Sequence, residues 1–172
     1  MKILLIGYMG SGKSVVGKTL ASVLKIPFKD IDSEIEKMEG LGITEIFSKK
    51  GEIYFRKTEN SVLKELLSRP ESFVLATGGG TPCYGDAMTL ILNQENVVSI
   101  YLKLKLETLC KRLWEKKEKR PLLAYLHTKE AMEDFIRKHL FERAFYYNQA
   151  NLVIENEGEI DETVEKIISK LF

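Results

Sequence analysis

The sequence predicts an α/β protein built on a parallel sheet with helices on both faces. Short apolar runs typical of buried strands alternate with stretches in which apolar residues recur at helical spacing. Glycine or acidic residues lie at the end of the first three of these runs. The chain has 172 residues, of which 44% are hydrophobic, and this length suits one domain, spanning 1–172, with a sizeable buried core.

The apolar runs define the expected strands, which in chain order are Lys2–Gly7, Phe28–Asp30, Phe73–Thr77, Val97–Leu102 and Leu152–Ile154. A helix follows the first strand, since Val16 and Leu20 share one helical face, and it ends before Pro27 because proline interrupts helices. A polar, helical region then runs to about Arg69 and is broken at Gly40, Gly42 and Gly51. The chain ends in another helical pattern over 160–171. Strands that alternate with helices imply a parallel sheet, in which ligands gather at the carboxyl ends of the strands.

The turn after the first strand is a phosphate-binding motif. Gly7–Ser14 reads GYMGSGKS and fits G-x-x-x-x-G-K-[ST] between a strand and a helix. Glycines let the backbone aim its N–H groups at phosphate oxygens, and the helix N-terminus favours anions. Lys13 should reach the β- and γ-phosphates and act in catalysis, and the Ser14 hydroxyl should ligate Mg²⁺. The predicted ATP-binding residues here are Gly10, Ser11, Gly12, Lys13, Ser14 and Val15.

Asp30 and Asp32 end the second strand, beside the phosphate loop. Alternation along a strand points both carboxylates the same way. One of them is suited to hold Mg²⁺ through water, and the other to receive the proton of an attacking hydroxyl. The alternative is that Asp32 merely caps a helix that starts near Ser33.

Gly78, Gly79 and Gly80 follow the third strand. Three glycines lose much conformational entropy on folding, so we expect a backbone surface that a small polar substrate approaches closely. A plain tight turn is the alternative.

Arg56 and Arg143 each lie on an apolar helical stripe. They are either edge residues that extend their charge to water or a pair that converges on a carboxylate.

The segment Lys111–Arg120 carries six basic and two acidic side chains and precedes Pro121. Most of these lysines fit a solvated helix end. Arg120 differs, because the proline directly after it stiffens the chain, and it suits a lid arginine that swings onto the phosphates.

Charge and cysteine content exclude several classes of protein. The formal net charge is +1, which argues against a dedicated nucleic-acid binder. Cys83 and Cys110 lack metal-ligand spacing and are expected to be free thiols in a reducing cytoplasm. The sequence shows neither a signal peptide nor a run long enough to cross a bilayer, so we expect a cytoplasmic protein without a membrane partner.

Together these motifs resemble the shikimate kinase family over essentially the whole chain. The residues that carry the resemblance are GYMGSGKS, the Asp30-Ile31-Asp32 pair, Phe55-Arg56, the triple glycine, Arg120–Leu123, and Arg143 with Tyr147. The resemblance implies a P-loop fold similar to nucleoside monophosphate kinases, with sheet order 2-3-1-4-5 and a mobile lid. It also implies transfer of the γ-phosphoryl of ATP to the 3-hydroxyl of shikimate, a step of chorismate and aromatic amino acid biosynthesis, with Mg²⁺ as cofactor.

The resemblance further assigns roles to the acceptor residues. Asp30 helps to place Mg²⁺, whereas Asp32 binds the substrate hydroxyls and acts as the base. Arg56 and Arg143 hold the carboxylate, and the triple glycine, Gly79 above all, offers its backbone to a ring hydroxyl. The apolar side of the pocket is formed by Ile43, Phe47 and Phe55. The shikimate-binding region is expected at about 32–60.

On the nucleotide side, the resemblance places Arg112, Glu155 and Asn156 beside adenine, and Arg120 in a lid at about 112–127. A monomer is expected. The family often shows R-x-P-L-Y, and the proline is missing from Arg143–Tyr147.

Two other functions stay open: a kinase for another hydroxylated acceptor such as gluconate or a nucleoside monophosphate, and a nucleotide-binding module without turnover. The triple glycine with Phe55-Arg56 favours a cyclic acid over gluconate, and the intact phosphate-loop and acidic residues argue against loss of activity.

Overall fold

The computed structural model describes residues 1–119 and 121–172. Its sheet has five parallel strands in the order β2-β3-β1-β4-β5, which confirms the predicted architecture. The strands are β1 (Lys2–Ile6), β2 (Phe28–Asp30), β3 (Phe73–Ala76), β4 (Val97–Lys103) and β5 (Leu152–Glu155). Apart from the second strand, whose predicted end included Asp32, a strand that departs from its predicted span does so by a single residue at its carboxyl end.

The helices of the described chain follow the predicted alternation. They are α1 (Lys13–Leu24), α2 (Ile31–Glu39), α3 (Ile43–Ser68), α4 (Ala87–Leu92), α5 (Leu106–Trp114), α6 (Pro121–Ala124), α7 (Lys129–Tyr147) and α8 (Ile160–Leu171), with short 3₁₀ helices at Thr81–Cys83 and Lys117–Lys119. In this part of the chain, no helix is both long and apolar enough to cross a membrane.

The central strand β1 divides the core into two layers. Ile3 and Leu5 pack with side chains of α1 and α8, whereas Leu4 packs with α2, α3 and α4 on the opposite face. Successive side chains of a strand point to opposite faces, so helices must cover both. This explains why β1 is apolar at nearly every position rather than at alternate ones.

Three glycines interrupt the helical region after β2, as the sequence predicts. Gly40 ends α2 with a φ of 65°, and Gly42 precedes the first residue of α3. Gly51 has a φ of 81° inside α3 and kinks that helix. Because only glycine adopts these angles without strain, the kink is encoded locally. It separates the first part of α3 from the part that carries Arg56.

Strand register brings the functional segments to one edge of the sheet. Ala76 of β3 pairs with Leu5 of β1 and with Asp30 of β2. All three strands therefore end at the same level, which sets the phosphate loop, Asp30 and the triple glycine side by side.

Candidate active site

The phosphate loop wraps between β1 and α1 with glycines in conformations that other residues rarely adopt. Gly10 and Gly12 have φ angles of 79° and 90°. A side chain on Gly10 would also meet Leu113 at 2.9 Å, and one on Gly12 would meet Asn156 at 3.1 Å. The Lys13 ammonium donates to the carbonyls of Gly7 and Tyr8, at 2.8 and 2.9 Å. The loop is thus closed around the lysine that the motif supplies.

One cavity of about 610 Å³ gathers most of the predicted site. Its lining comes from the phosphate loop, the ends of β2 and β3, α5 and the segment after β5, and includes Gly10, Gly12, Lys13, Ser14, Val15, Asp30, Asp32, Gly78, Gly79, Arg112 and Asn156. Of the predicted acceptor residues, Asp32, Gly78 and Gly79 thus share this space with the phosphate loop. Arg56 instead lines a second cavity, of about 720 Å³.

Ser14 and Asp30, the predicted metal ligands, are in direct contact. The Ser14 hydroxyl donates to a carboxylate oxygen of Asp30 at 3.0 Å. A hydroxyl and a carboxylate at this spacing fit Mg²⁺, which takes oxygen ligands and retains several waters. Among the described residues, no group of three or more His, Cys, Asp or Glu side chains is placed to hold a metal. The remaining ligands at this position would have to be phosphate oxygens and water.

The prediction that Asp32 belongs to the strand is wrong. Helix α2 already begins at Ile31, and Asp30 is its cap, because the Asp30 carboxylate accepts the Asp32 N–H at 3.1 Å. A short carboxylate next to the first helical N–H groups favours this early start. Both aspartates line the cavity, Asp30 from the end of β2 and Asp32 from the first turn of α2, and Asp32 is not the capping residue.

Asp32 has an unusual acidity. Its pKa rises from 3.8 to about 6, first because the carboxyl is buried, and further because the Asp30 and Glu59 carboxylates lie nearby. Lys13 opposes this shift in part. A carboxylate with a pKa near 6 is mostly ionised at neutral pH, yet is far more basic than an ordinary aspartate, as a proton acceptor needs to be.

The triple glycine allows functional side chains to approach the backbone. A side chain on Gly78 would lie 2.9 Å from Glu59, and one on Gly80 would lie 2.7 Å from Arg56. At Gly79 the corresponding distance to Arg143 is 3.4 Å. The three glycines thus give close access to a carboxylate and two guanidinium groups, which is more than a tight turn requires.

Arg56 is held inside the site and is not a stripe-edge residue. Its guanidinium pairs with Glu59 at 2.8 Å and lies 4.1 Å from the centre of the Tyr84 ring. Glu59 is 2% exposed and also accepts the Thr81 hydroxyl at 2.6 Å. The sequence did not predict Glu59, Thr81 and Tyr84 as residues of the site. The available signal was a charged residue three positions after Arg56, on the same apolar stripe as Leu63 and Leu67.

Arg143 is buried as well, with 8% of its surface exposed. Burial by itself lowers the pKa of Arg143, but nearby groups, foremost the Tyr147 hydroxyl one helical turn later, outweigh burial and raise it. Helix α7 continues without a break through this segment, so the missing proline leaves the spacing of Arg143 and Tyr147 intact. The two arginines reach adjacent glycines from α3 and α7, which are far apart in sequence.

Asn156, which was predicted to lie beside adenine, lines the cavity next to the phosphate loop. Its amide nitrogen donates to the Ser11 carbonyl at 2.7 Å, and its amide oxygen accepts the Thr163 hydroxyl at 2.7 Å. The side chain is 4% exposed. The amide nitrogen therefore holds the phosphate loop, and the amide oxygen fixes the side chain to α8. Thr163 on α8 also escaped the sequence analysis, since its position in an amphipathic helix indicates only packing.

The remaining predicted residues belong to the apolar side of the acceptor pocket and to the predicted lid. Phe55 is buried, and its ring is 4.4 Å from that of Phe47. Arg112 belongs to the regular helix α5, so the irregular segment of the predicted lid begins after Trp114. Lys117 donates to the Leu126 carbonyl at 3.0 Å and joins the two ends of that segment. Arg120 falls outside the described residues.

These features define an ATP-dependent P-loop kinase. A glycine loop between a strand and a helix presents Lys13 and Ser14, and the Asp32 carboxylate, with its raised pKa, lies in the same cavity. The sequence model of the shikimate kinase family matches residues 9–172. The chain belongs to this family.

Individual relatives agree. The chain is 48% identical to the shikimate kinase of Flavobacterium johnsoniae over 171 residues, which cover 99% of this chain and 98% of the relative. The crystal structure of shikimate kinase from Bacteroides thetaiotaomicron superposes with a TM-score of 0.90 at 32% identity, over 99% of this chain and 98% of that one. The Acinetobacter baumannii shikimate kinase in complex with shikimate superposes with a TM-score of 0.85 at 36% identity, over 99% and 92%.

Proposed function

We propose that this protein transfers the γ-phosphoryl of ATP to the 3-hydroxyl of shikimate, giving shikimate 3-phosphate and ADP. This is a step of chorismate and aromatic amino acid biosynthesis. The observation that carries the proposal is that Asp32 shares one cavity with the phosphate loop, while Arg56 and Arg143 reach the triple glycine beside it, in a chain of the shikimate kinase family. A gluconate kinase has no comparable support.

The donor is held by backbone and charge. In this proposal the N–H groups of the phosphate loop and the α1 N-terminus bind the phosphates, and Lys13 carries a positive charge to the transferring group. Ser14 and Asp30 would hold Mg²⁺, which neutralises negative charge on the β- and γ-phosphates when bound. Their hydrogen bond at 3.0 Å supports a shared role.

The acceptor is held by side chains and the glycine backbone. Asp32 takes the proton of the attacking hydroxyl, for which its raised pKa suits it. Arg56 and Arg143 bind the carboxylate of shikimate, because a guanidinium matches a carboxylate with two hydrogen bonds. Gly78, Gly79 and Gly80 contact the ring hydroxyls, and Phe55 backs the apolar face. The region 32–60 thus supplies much of the acceptor pocket.

The adenine side and the lid complete the proposal. Arg112 borders the cavity next to Gly12 and is placed to contact the nucleotide. Arg120 acts from a lid, at about 112–127, that closes over the phosphates when both substrates are bound. The protein acts as a monomer in the cytoplasm, where the free thiols of Cys83 and Cys110 remain reduced.

The proposal is tested by measuring ADP release in a coupled assay with shikimate, gluconate and nucleoside monophosphates as acceptors. We expect turnover with shikimate and little with the others. Faster release with gluconate, or release at the same slow rate with every acceptor, would contradict the proposal. Arg120→Ala should lower kcat strongly and weaken ATP binding modestly. An unchanged kcat would contradict the proposed role of Arg120 as a lid arginine.

A further inference from the structure

The Tyr147 hydroxyl is bonded to the backbone of the triple glycine. Tyr147 lies at the last turn of α7 and is 0% exposed. Its hydroxyl donates to the Gly79 carbonyl at 2.5 Å, across 68 residues of sequence. Its ring packs on Tyr101, with the two ring centres 5.1 Å apart. A buried phenol with a single rigid orientation therefore reaches the middle glycine of the segment.

Each carbonyl of the triple glycine has an internal partner. The Gly78 carbonyl accepts the Thr81 N–H at 3.2 Å, and the Gly80 carbonyl accepts the Cys83 N–H at 2.8 Å. These two bonds belong to the local turn. The Gly79 carbonyl instead accepts from two side chains: the Tyr147 hydroxyl at 2.5 Å, from a distant helix, and the Cys83 thiol at 4.0 Å, which is a weak donor. Peptides between glycines rotate at little steric cost, so the orientation of the 79–80 peptide depends mainly on the tyrosine bond.

The same phenol is in contact with Arg143. The two groups lie close enough to shift each other's pKa, and Arg143 Nη1 lies 3.4 Å from where a Gly79 side chain would begin. Because the phenol hydrogen goes to the Gly79 carbonyl and a guanidinium has donors only, the phenol oxygen is the atom of this pair that can accept. Burial raises the pKa of Tyr147 strongly, so the hydroxyl remains protonated and able to donate. One hydroxyl thus connects the guanidinium and the peptide that border the acceptor space, and Arg143 itself packs on Gly79.

We propose that Tyr147 is a positioning residue for the acceptor, whose hydroxyl couples the Arg143 guanidinium to the Gly79 peptide. The two groups then contact the acceptor as one unit, one at its carboxylate and one at its ring hydroxyls. This inference rests on the proposed function, because it concerns the acceptor of that reaction. A tyrosine that only fills the core would need its ring and not its hydroxyl.

Tyr147→Phe removes the hydroxyl and keeps the ring that packs on Tyr101. Calorimetry should show shikimate binding weakened by about tenfold, the scale of one buried hydrogen bond in a charged network. Binding of a non-hydrolysable ATP analogue should stay within about twofold, since the phosphate loop keeps its own contacts. Tyr101→Phe is the matched control, because it removes a hydroxyl from the other ring of the same pair. It should change neither affinity.

A double variant tests the coupling. If Tyr147 acts through Arg143 and Gly79, Tyr147→Phe combined with Arg143→Lys should weaken shikimate binding less than the product of the two single effects. Full multiplicativity would overturn the coupling. Equal weakening of both ligands by Tyr147→Phe, accompanied by a lower Tm, would make the tyrosine merely structural and overturn the inference.

The wild-type protein separates this inference from the proposed function. If it neither binds nor phosphorylates shikimate, the proposed function fails and the inference fails with it. If it does both and Tyr147→Phe binds shikimate as well as the wild type, only the inference fails.

Discussion

The donor and acceptor halves of the cavity are built by different means. The donor half comes from one contiguous segment, Gly7–Ser14, whose shape is set by glycine conformations and helix start. The acceptor half draws Asp32, Arg56, Gly79 and Arg143 from separate elements. The donor half therefore depends mainly on backbone conformation, which is encoded locally, whereas the acceptor half depends on buried polar contacts between distant side chains.

This difference predicts how each half responds to substitution. Changes in the donor half should affect phosphoryl transfer and ATP binding and leave shikimate binding nearly intact. Changes in the acceptor network should affect the shikimate KM. A variant that moves both ligands together would show that the halves are not separable.

Lys13→Ala should have the largest effect. Without the charge on the transferring phosphoryl group, kcat should fall by at least about 10³-fold, and ATP binding should weaken. Steady-state kinetics and calorimetry with an ATP analogue measure the two losses. Lys18→Ala is the control, because Lys18 lies exposed on the same helix, over the Phe28 ring. Near-normal turnover of Lys13→Ala would contradict the phosphate-loop assignment.

Asp32→Asn should lower kcat by about 10²-fold, since the amide cannot accept a proton, while ATP binding changes little. In the wild type, kcat/KM for shikimate should fall below a pH of about 6, where Asp32 becomes protonated, by about tenfold per pH unit. The variant should lack this acidic limb. Asp30→Asn is the comparison, and it should instead shift the Mg²⁺ dependence. Identical pH and Mg²⁺ profiles of the two variants would contradict the division of roles.

The same substitution should stabilise the fold. Because the pKa of Asp32 is raised to about 6, the ionised carboxylate destabilises the folded state above the unfolded value of 3.8, and fully so above about 6. Asp32→Asn should therefore raise the free energy of unfolding at pH 8 by on the order of 2 kcal/mol. The gain should shrink as the pH falls from 6 to 4. Denaturant titrations of the variant and the wild type at pH 8 and pH 4 measure this gain. A loss of stability at pH 8 would argue against repulsion between Asp32 and its carboxylate neighbours.

In the acceptor network, Arg56→Lys and Glu59→Gln should each raise the shikimate KM by about 10- to 100-fold. The lysine loses the two-pronged contact, and the glutamine no longer holds Arg56 by charge, a cost of about 1.5–3 kcal/mol. ATP KM should stay close to the wild-type value. Arg137→Lys, at an exposed ion pair on α7, is the control. An unchanged shikimate KM in both acceptor variants would make Arg56 a packing residue.

The smallest effect is expected where a distant side chain supports the donor half. Thr163→Val removes the hydroxyl that orients the Asn156 amide, so ATP KM should rise by about three- to fivefold, the scale of one neutral hydrogen bond. Thr163→Ser keeps the hydroxyl and should restore the wild-type value. A rise in the shikimate KM of equal size would mean that the contact stabilises the whole cavity rather than the phosphate loop.

Much of the fold and of the donor half was predictable from sequence. The apolar runs predicted four of the five strands to within a residue, and Gly40, Gly42 and Gly51 marked the helix breaks because glycine conformations are local. The position of Asp32 was predicted wrongly. The choice between strand and helix at Ile31 depends on which side chain caps the helix, and both aspartates are suited to that role.

What the sequence alone determined is therefore the local chemistry: the alternation of strands and helices, the phosphate loop, and the residue types that the site contains. The tertiary structure decided which buried polar groups meet. Tyr147 reaches Gly79 across 68 residues, and Asn156 reaches Ser11 across 145. The local spacing of residues does not predict such pairs, because they form only when packed helices and the sheet bring the groups together. A buried polar group must then find a partner, whatever its distance along the chain.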